Sequence, residues 1–324
     1  MATYYGTYGQ KVQYLASDPS DPQIGQVWYN STSAVLKVRA VTTTGTWASG
    51  GNLITARASV RGAGTQTASL AIGGYNGTAY VTNTEEYDGS TWTAGGAITG
   101  AKGLVFSAGT QTAAFVAGGY DGGNYTDTQE YNGTSWTPSG SLSQARADGG
   151  SAGTQTAGLG FGGYTPTVRV TSTEEYDGSV WTSGGNMNTS KYQVAGCGIQ
   201  TAALVIGGET TTPISQTEEY DGTSWTAGGN LNTARAHLGS GGTQTLAVAF
   251  GGGSPTATGA TELYNGTSWT TNPNSMATAR RDLASGGTQA AAWVAGGNLP
   301  SPVSAATEEF TGPGTATTKT VTVS

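Results

Sequence analysis

Cysteine and histidine are almost missing from this chain: 324 residues contain one of each, Cys197 and His237. A single thiol cannot close an intramolecular disulfide, and one cysteine with one histidine cannot form the Cys/His set of a zinc site. No metal and no cofactor is expected. Charge is scarce too. Only 10% of residues are Asp, Glu, Lys or Arg, and the formal net charge is −7. Nucleic-acid binding needs a basic footprint against phosphate, so none is expected here. No apolar run approaches the ~20 residues of a membrane helix, which argues against membrane insertion. The N-terminal MATYYGTYGQKVQYL lacks the apolar stretch of a secretion signal, so the sequons at Asn76, Asn132 and Asn265 carry little weight.

Glycine is what the chain has in excess: 54 residues, against a usual share of ~7%, without a collagen period. The phrase GTQTASLAIGG at 64–74 explains much of it. It returns as GTQTAAFVAGG (109–119), GTQTAGLGFGG (153–163), GIQTAALVIGG (198–208), GTQTLAVAFGG (242–252) and GTQAAAWVAGG (287–297), with starts 45, 44, 45, 44 and 45 residues apart. A fixed period of this size marks a repeat architecture. Each unit reads as four short strands. In the first, a small-residue run (ASVRGAG) leads through GTQ into TASLAI, which ends at Gly73-Gly74. A loop then leads to TNTEEY, and Asp88-Gly89 turns the chain into STWT. No helical periodicity appears in the unit. Four antiparallel strands per repeat make a propeller blade, so the expected fold is all-β, a six-bladed β-propeller.

The side chains repeat with the unit. First strands are poor in bulk near their C-terminal ends, as expected where strands converge on an axis, and Cys197 stands where other copies have Ala63, Ala108, Ala152, Gly241 and Gly286. It is read as a small apolar filler. Tyr87, Tyr131, Tyr176, Tyr220, Tyr264 and Phe310 end the third strands, and Trp92, Trp136, Trp181, Trp225 and Trp269 follow five residues later. These are expected to fill the space between blades. The sixth copy lacks its tryptophan, whereas GTWASGGNLITAR (45–57) matches GTSWTAGGNLNTAR (222–235). Trp47 is therefore expected in one sheet with Glu308–Phe310, closing the ring and hiding an edge. The strand-like tail ATTKTVTVS competes for that place or adds a fifth strand. The domain reading is an arm at 1–44, a propeller at 45–310 with its closing strand at 45–56, and a tail at 311–324.

Charges recur as well. Arg57, Lys102, Arg146, Lys191, Arg235 and Arg280 share one position. Glu86, Glu130, Glu175, Glu219 and Glu309 share a second, with Leu263 the exception. Glu85, Glu174, Glu218, Glu262 and Glu308 share a third, with Gln129 the exception. The cations are expected to pair with third-strand glutamates as a structural charge ring, each pair contributing ~0.2–1 kcal/mol if exposed. Catalysis needs members with different roles, and a repeated ring has none. His237 has Ser59, Leu104, Asp148, Gln193 and Asp282 as its counterparts, so it is not a repeated ligand. Arg61, Arg169 and Arg281 hold unrelated positions. No enzyme activity is expected.

These units resemble kelch repeats, through the paired glycines after the second strand, the tyrosine and tryptophan, and the basic residue before the next unit. The resemblance spans about residues 45–310, with Tyr and Trp closer together than is usual there. DGSTW resembles the sialidase Asp box without its intervening residue and reads as a hairpin turn. SDPSDPQIGQVWYNSTSAVLKVR (17–39) looks like a short hairpin module of bacteriophage tail fibres and other virion proteins, with GQVWYN and LKVR as strands. The Thr/Gly-rich repeats also look like those of marine phage structural proteins. The resemblance implies a virion location and a six-bladed kelch-like β-propeller with an N-terminal β-hairpin arm. It implies a non-enzymatic tail fibre or receptor-binding component, or else a capsid decoration or adaptor protein; an intracellular kelch-type scaffold is the reading from another class. Partners would be other virion proteins through the arm, and a host surface glycan or protein. The least repeated segments are the loops between second and third strands, and Tyr75, Tyr80, Tyr120, Tyr125 and Tyr164 fall in them. Variable loops on a constant scaffold read as a recognition surface, and tyrosine suits one.

Overall fold

The computed structural model describes residues 12–23, 25–41, 44–253, 256–298, 303–314 and 316–321. Its regular elements are strands, with no helix among the described residues. They form seven four-stranded sheets. Six are copies of one antiparallel unit, in a β-propeller-like repeat fold. Sheet one, Arg61–Thr65, Ala68–Ile72, Thr84–Tyr87 and Trp92–Ala94, sets the pattern, with strands side by side in chain order. Sheets two to five repeat it from Phe106, Gly150, Ala195 and Gly239. The sixth takes three strands from the C-terminal side (Ala284–Gly287, Ala291–Ala295, Thr307–Thr311) and its fourth from Thr46–Ser49. Phe310 there faces Trp47 across the ladder as Tyr87 faces Trp92 in sheet one.

First strands of successive sheets lie side by side, with Ala284–Gly287 also against Arg61–Thr65. Small residues are required at these approaches. A Cβ on Gly62 would stand 2.6 Å from the carbonyl oxygen of Ser285, and one on Gly196 would stand 2.6 Å from that of Ser151. The Gly-Gly pairs have a backbone reason as well: Gly73 and Gly74 sit at φ 58° and 104°, with a carbonyl oxygen 2.3 Å from where a Cβ on Gly73 would be.

Between sheets, three repeated contacts point the same way, from each sheet to the one before. The indole N–H of Trp92, Trp136, Trp181, Trp225, Trp269 and Trp47 each donates to a third-strand threonine hydroxyl of the preceding sheet, at 2.8–3.3 Å. The glutamine of each GTQ phrase donates its amide to two carbonyls of the preceding sheet at 2.6–3.2 Å, from Gln66 to Gln289. This is why a polar glutamine recurs at a tight turn: it clamps two backbone acceptors of the neighbouring sheet. Third, Tyr87, Tyr176, Tyr220 and Tyr264 donate to Glu309, Glu130, Glu175 and Glu219 at 2.5–2.6 Å, and Tyr131 donates to Glu86. Aromatic and aliphatic side chains pack around these contacts in six separate clusters. Cys197 is buried in one of them, and burial pushes its thiol up to about 12.

The fifth-to-sixth boundary departs in a coordinated way. Leu263 replaces the glutamate and Phe310 the tyrosine, so neither polar group is left alone. Asn272 then ties in the strand from the other end of the chain: its side chain accepts from Gly45 N at 2.9 Å and donates to Gly45 O at 3.1 Å.

The seventh sheet is the arm. Val27–Asn30 and Val35–Val41 form a hairpin, Gln13–Leu15 adds in parallel, and Ala316–Val321 pairs antiparallel with the second hairpin strand. The tail thus neither closes nor widens the sixth sheet. Thr46–Ser49 already holds that edge, and the tail completes the arm instead. Asp18 anchors the hairpin, accepting from Trp28 Nε1 (3.1 Å), Asn30 Nδ2 (2.7 Å) and Lys37 Nζ (2.7 Å). The Lys37 bond first, then Asn30 and Trp28, hold its carboxyl down at about 2.

Candidate functional site

The loops between second and third strands all leave one end of the repeat sheets. Thr311 lies at the opposite end, where it pairs with Ala291 beside a GTQ turn and with Thr46. The segments that join the repeats to the arm, before Thr46 and after Thr311, therefore leave from the end opposite the tyrosine loops.

Short bridges seat the loops against the segments that precede the first strands: Tyr75 pairs with Ala58 and Tyr80, Tyr120 with Gly103 and Asn124, and Tyr164 with Ala147 and Arg169. Tyr75, Tyr80 and Tyr120 form a line of edge contacts, with centroids 5.4 and 6.0 Å apart. Tyr164 stands with Tyr192 at 5.6 Å, over which the Arg169 guanidinium lies at 5.5 Å. Tyr125 donates to Asp121 at 2.7 Å, with Lys102 Nζ 5.3 Å from its ring. Tyr120, Tyr125 and Tyr164 are exposed, while Tyr75 and Tyr80 are half-buried. Tyr192 escaped the sequence reading because it lies before a first strand and not in a variable loop.

The segments under these loops carry a feature that repeat comparison passed over. Ser59, Leu104, Asp148, Gln193, His237 and Asp282 all adopt left-handed backbone, φ 52–60°. Non-glycine residues there are uncommon and strained. A chain of backbone bonds holds them: Leu104 N donates to Ser59 O, Asp148 N to Leu104 O, Gln193 N to Asp148 O, His237 N to Gln193 O and Asp282 N to His237 O, at 2.7–3.1 Å. The backbone is repeated, but the side chains are not. Arg61 reaches across from sheet one to Asp148 at 2.8 Å, His237 Nδ1 meets Asp282, and Arg281 Nε lies 3.9 Å from Asp282. Arg61, Gln193 and His237 line a cavity of about 170 Å³ that is otherwise walled mainly by Gly, Ala and Ser of the first strands.

Their protonation follows from their pairing. Burial raises the Asp148 carboxyl, and Arg61 only partly offsets this. Burial disfavours imidazolium at His237, but the hydrogen bond and charge of Asp282 outweigh it and leave the imidazole raised. At Asp282 burial is likewise outweighed by His237, leaving the carboxyl lowered. Among the described residues no group of three or more His, Cys, Asp or Glu side chains is placed to hold a metal ion.

The charge ring resolves into two kinds of contact. Arg57, Arg146, Lys191, Arg235 and Arg280 pair with Glu85, Glu174, Glu218, Glu262 and Glu308 at 2.7–3.0 Å, with cations at most 1% and carboxylates at most 5% exposed. The arginines also donate to carbonyls at the end of the second strand and before the third. Lys102, whose repeat has Gln129 in the glutamate position, turns to Asp127. Glu86, Glu130, Glu175, Glu219 and Glu309, one residue along, point to the other face of the strand and accept the tyrosines described above. Strand alternation decides this: adjacent residues on a strand face opposite ways. The pairs are buried, so the range for exposed pairs does not apply to them.

No protein-family model matches the chain, and no curated protein matches its sequence.

Proposed function

We propose that this chain is a non-enzymatic structural and recognition component of a bacteriophage particle, a tail fibre or receptor-binding part. It is built as a six-bladed kelch-like propeller closed by its N-terminal strand. The arm sheet attaches it to other virion proteins, and the tyrosine face meets a host surface glycan or protein. One observation carries this reading: strands from the described segments on either side of the repeats share a separate sheet and join the repeats at one end, while the variable tyrosine-bearing loops emerge at the other. A chain with a fixed end and a variable end has the polarity of an attachment device. The six tryptophan contacts, among them Trp47 to Thr261 and Trp92 to Thr307, support ring closure.

The test is adsorption. Particles carrying Tyr75→Ala, Tyr80→Ala, Tyr120→Ala and Tyr125→Ala together are expected to assemble in normal yield and to adsorb to host cells more weakly. Normal adsorption, or cryo-EM density showing these loops buried against the particle, would replace this reading with a capsid decoration or adaptor role.

A further inference from the structure

Arg61, Gln193 and His237 line the mouth of the cavity between the first strands, and Asp148 and Asp282, on the strained segments under the tyrosine loops, pair with Arg61 and His237. We infer that this mouth is a binding site for a neutral, polyhydroxylated ligand, the terminal sugar of a glycan. The inference rests on the tyrosine face being the recognition face, and it names the chemistry recognised there.

Four observations support it. The first is strain without a repeated side chain. All six copies hold the left-handed backbone, yet serine, leucine, glutamine, histidine and two aspartates occupy it. A purely structural position would favour glycine six times, and strain of this kind collects at ligand sites. The second is charge. Arg61 meets Asp148, and His237 and Arg281 both approach Asp282, so the mouth presents donors beside acceptors and not a cluster of one sign. Sugar hydroxyls both donate and accept, and adjacent donor–acceptor pairs match vicinal hydroxyls. The third is an unused acceptor: Gln193 Oε1, in the cavity lining, is buried and receives no hydrogen bond from the described protein. A buried amide oxygen without a donor is costly and points to a partner that arrives from outside. The fourth is shape. The cavity of about 170 Å³ is smaller than a drug-sized pocket. Its walls are small residues, and the Tyr75–Tyr80–Tyr120 line lies against the strained segments: a Cβ on Gly103 would stand 2.7 Å from Ser59 O and 3.1 Å from Tyr80 Cε1. An aromatic platform beside fixed polar groups suits a pyranose, which has an apolar face and a polar rim.

His237 is the only histidine of the chain and reports on the mouth directly. Full-length protein labelled with 15N-histidine should be titrated with methyl glycosides of neutral hexoses and N-acetylhexosamines, and with inorganic phosphate as the anionic comparison. Expected is a saturable shift of the imidazole resonances with at least one neutral glycoside and none with phosphate, the apparent affinity falling at least about tenfold in Asp148→Asn. Gln193→Leu, at a half-buried position, serves if Asp148→Asn fails to fold. No shift with any neutral glycoside, or a shift with phosphate alone, overturns the inference. So does glycoside binding that is silent at His237 and lost in the tyrosine variants, which would leave the recognition face standing without this mouth. A His237 response with normal adsorption by the tyrosine variants upholds the sugar site and refutes the attachment role.

Discussion

The hydrogen bond from Tyr220 to Glu175 can be removed from either side, and the sixth boundary shows what its absence looks like when both sides change together. Tyr220 is fully buried, and its hydroxyl donates to Glu175 Oε1 at 2.6 Å while accepting from Gly185 N at 3.4 Å. Glu175 is half-buried. Glu175→Leu leaves a buried hydroxyl without an acceptor, which costs about 1–3 kcal/mol. Tyr220→Phe leaves a carboxylate that water reaches in part, so its loss falls at about 0.5–1.5 kcal/mol. The double variant recreates Leu263 beside Phe310. No polar group is then stranded, and its stability should lie within about 1 kcal/mol of the parent, well short of the sum of the single losses. Urea unfolding of the four proteins gives the coupling energy directly. Additive losses, with coupling below about 0.5 kcal/mol, would show that the repeated tyrosine–glutamate contacts do not hold successive sheets together and would refute the reasoning.

Other consequences follow from the same geometry. Burial first, then the carboxylate acceptors, push the hydroxyls of Tyr87, Tyr131, Tyr220 and Tyr264 up to about 12. A folded value above the unfolded ~10 favours the fold below pH 10 and loses that advantage between about 10 and 12. Denaturation midpoints should fall across that window while tyrosinate absorbance lags behind free tyrosine; a midpoint flat across it would contradict the assignment. Arg146→Met strands Glu174 in a buried site and should cost about 3–5 kcal/mol, read by calorimetry or urea unfolding, whereas a loss under about 1 kcal/mol would mean the pair behaves as exposed. Deleting residues 1–50 removes the strand that covers Thr307–Thr311 and should produce aggregation by light scattering; a monomer with unchanged melting temperature would show that the strand is dispensable.

The repeat unit was legible because four strands, their turns and their aromatics recur six times, and repetition multiplies a weak signal. The orphan Trp47 was legible for the same reason, as a missing copy found elsewhere. The partner of each repeated charge was harder to see. Glu85 and Glu86 are adjacent in sequence and repeat alike, yet they face opposite sides of one strand, and only the burial of each face assigns arginine to the first and tyrosine to the second. The glutamine clamps were hidden because their partners are backbone carbonyls, which carry no sequence signature. The mouth was hidden for the opposite reason. Asp148, His237 and Asp282 look unrelated in an alignment of repeats, because what repeats there is a backbone conformation, and Arg61 comes from a different position in the unit. The tail's pairing with the arm depended on which edge was already occupied, and no local pattern reveals that.

The sharing of the sixth sheet between the two ends of the chain sets a timetable for folding. Trp47 pairs opposite Phe310, a separation of roughly 260 residues, or roughly 13–50 s of synthesis at about 5–20 residues per second. Through that interval five complete sheets emerge and stack while Thr46–Ser49 waits without its ladder partner. The strand that waits is short and carries one large aromatic, which limits what it can bind wrongly in the meantime. The third strand of the sixth repeat sheet is thus the first ladder partner that Thr46–Ser49 meets.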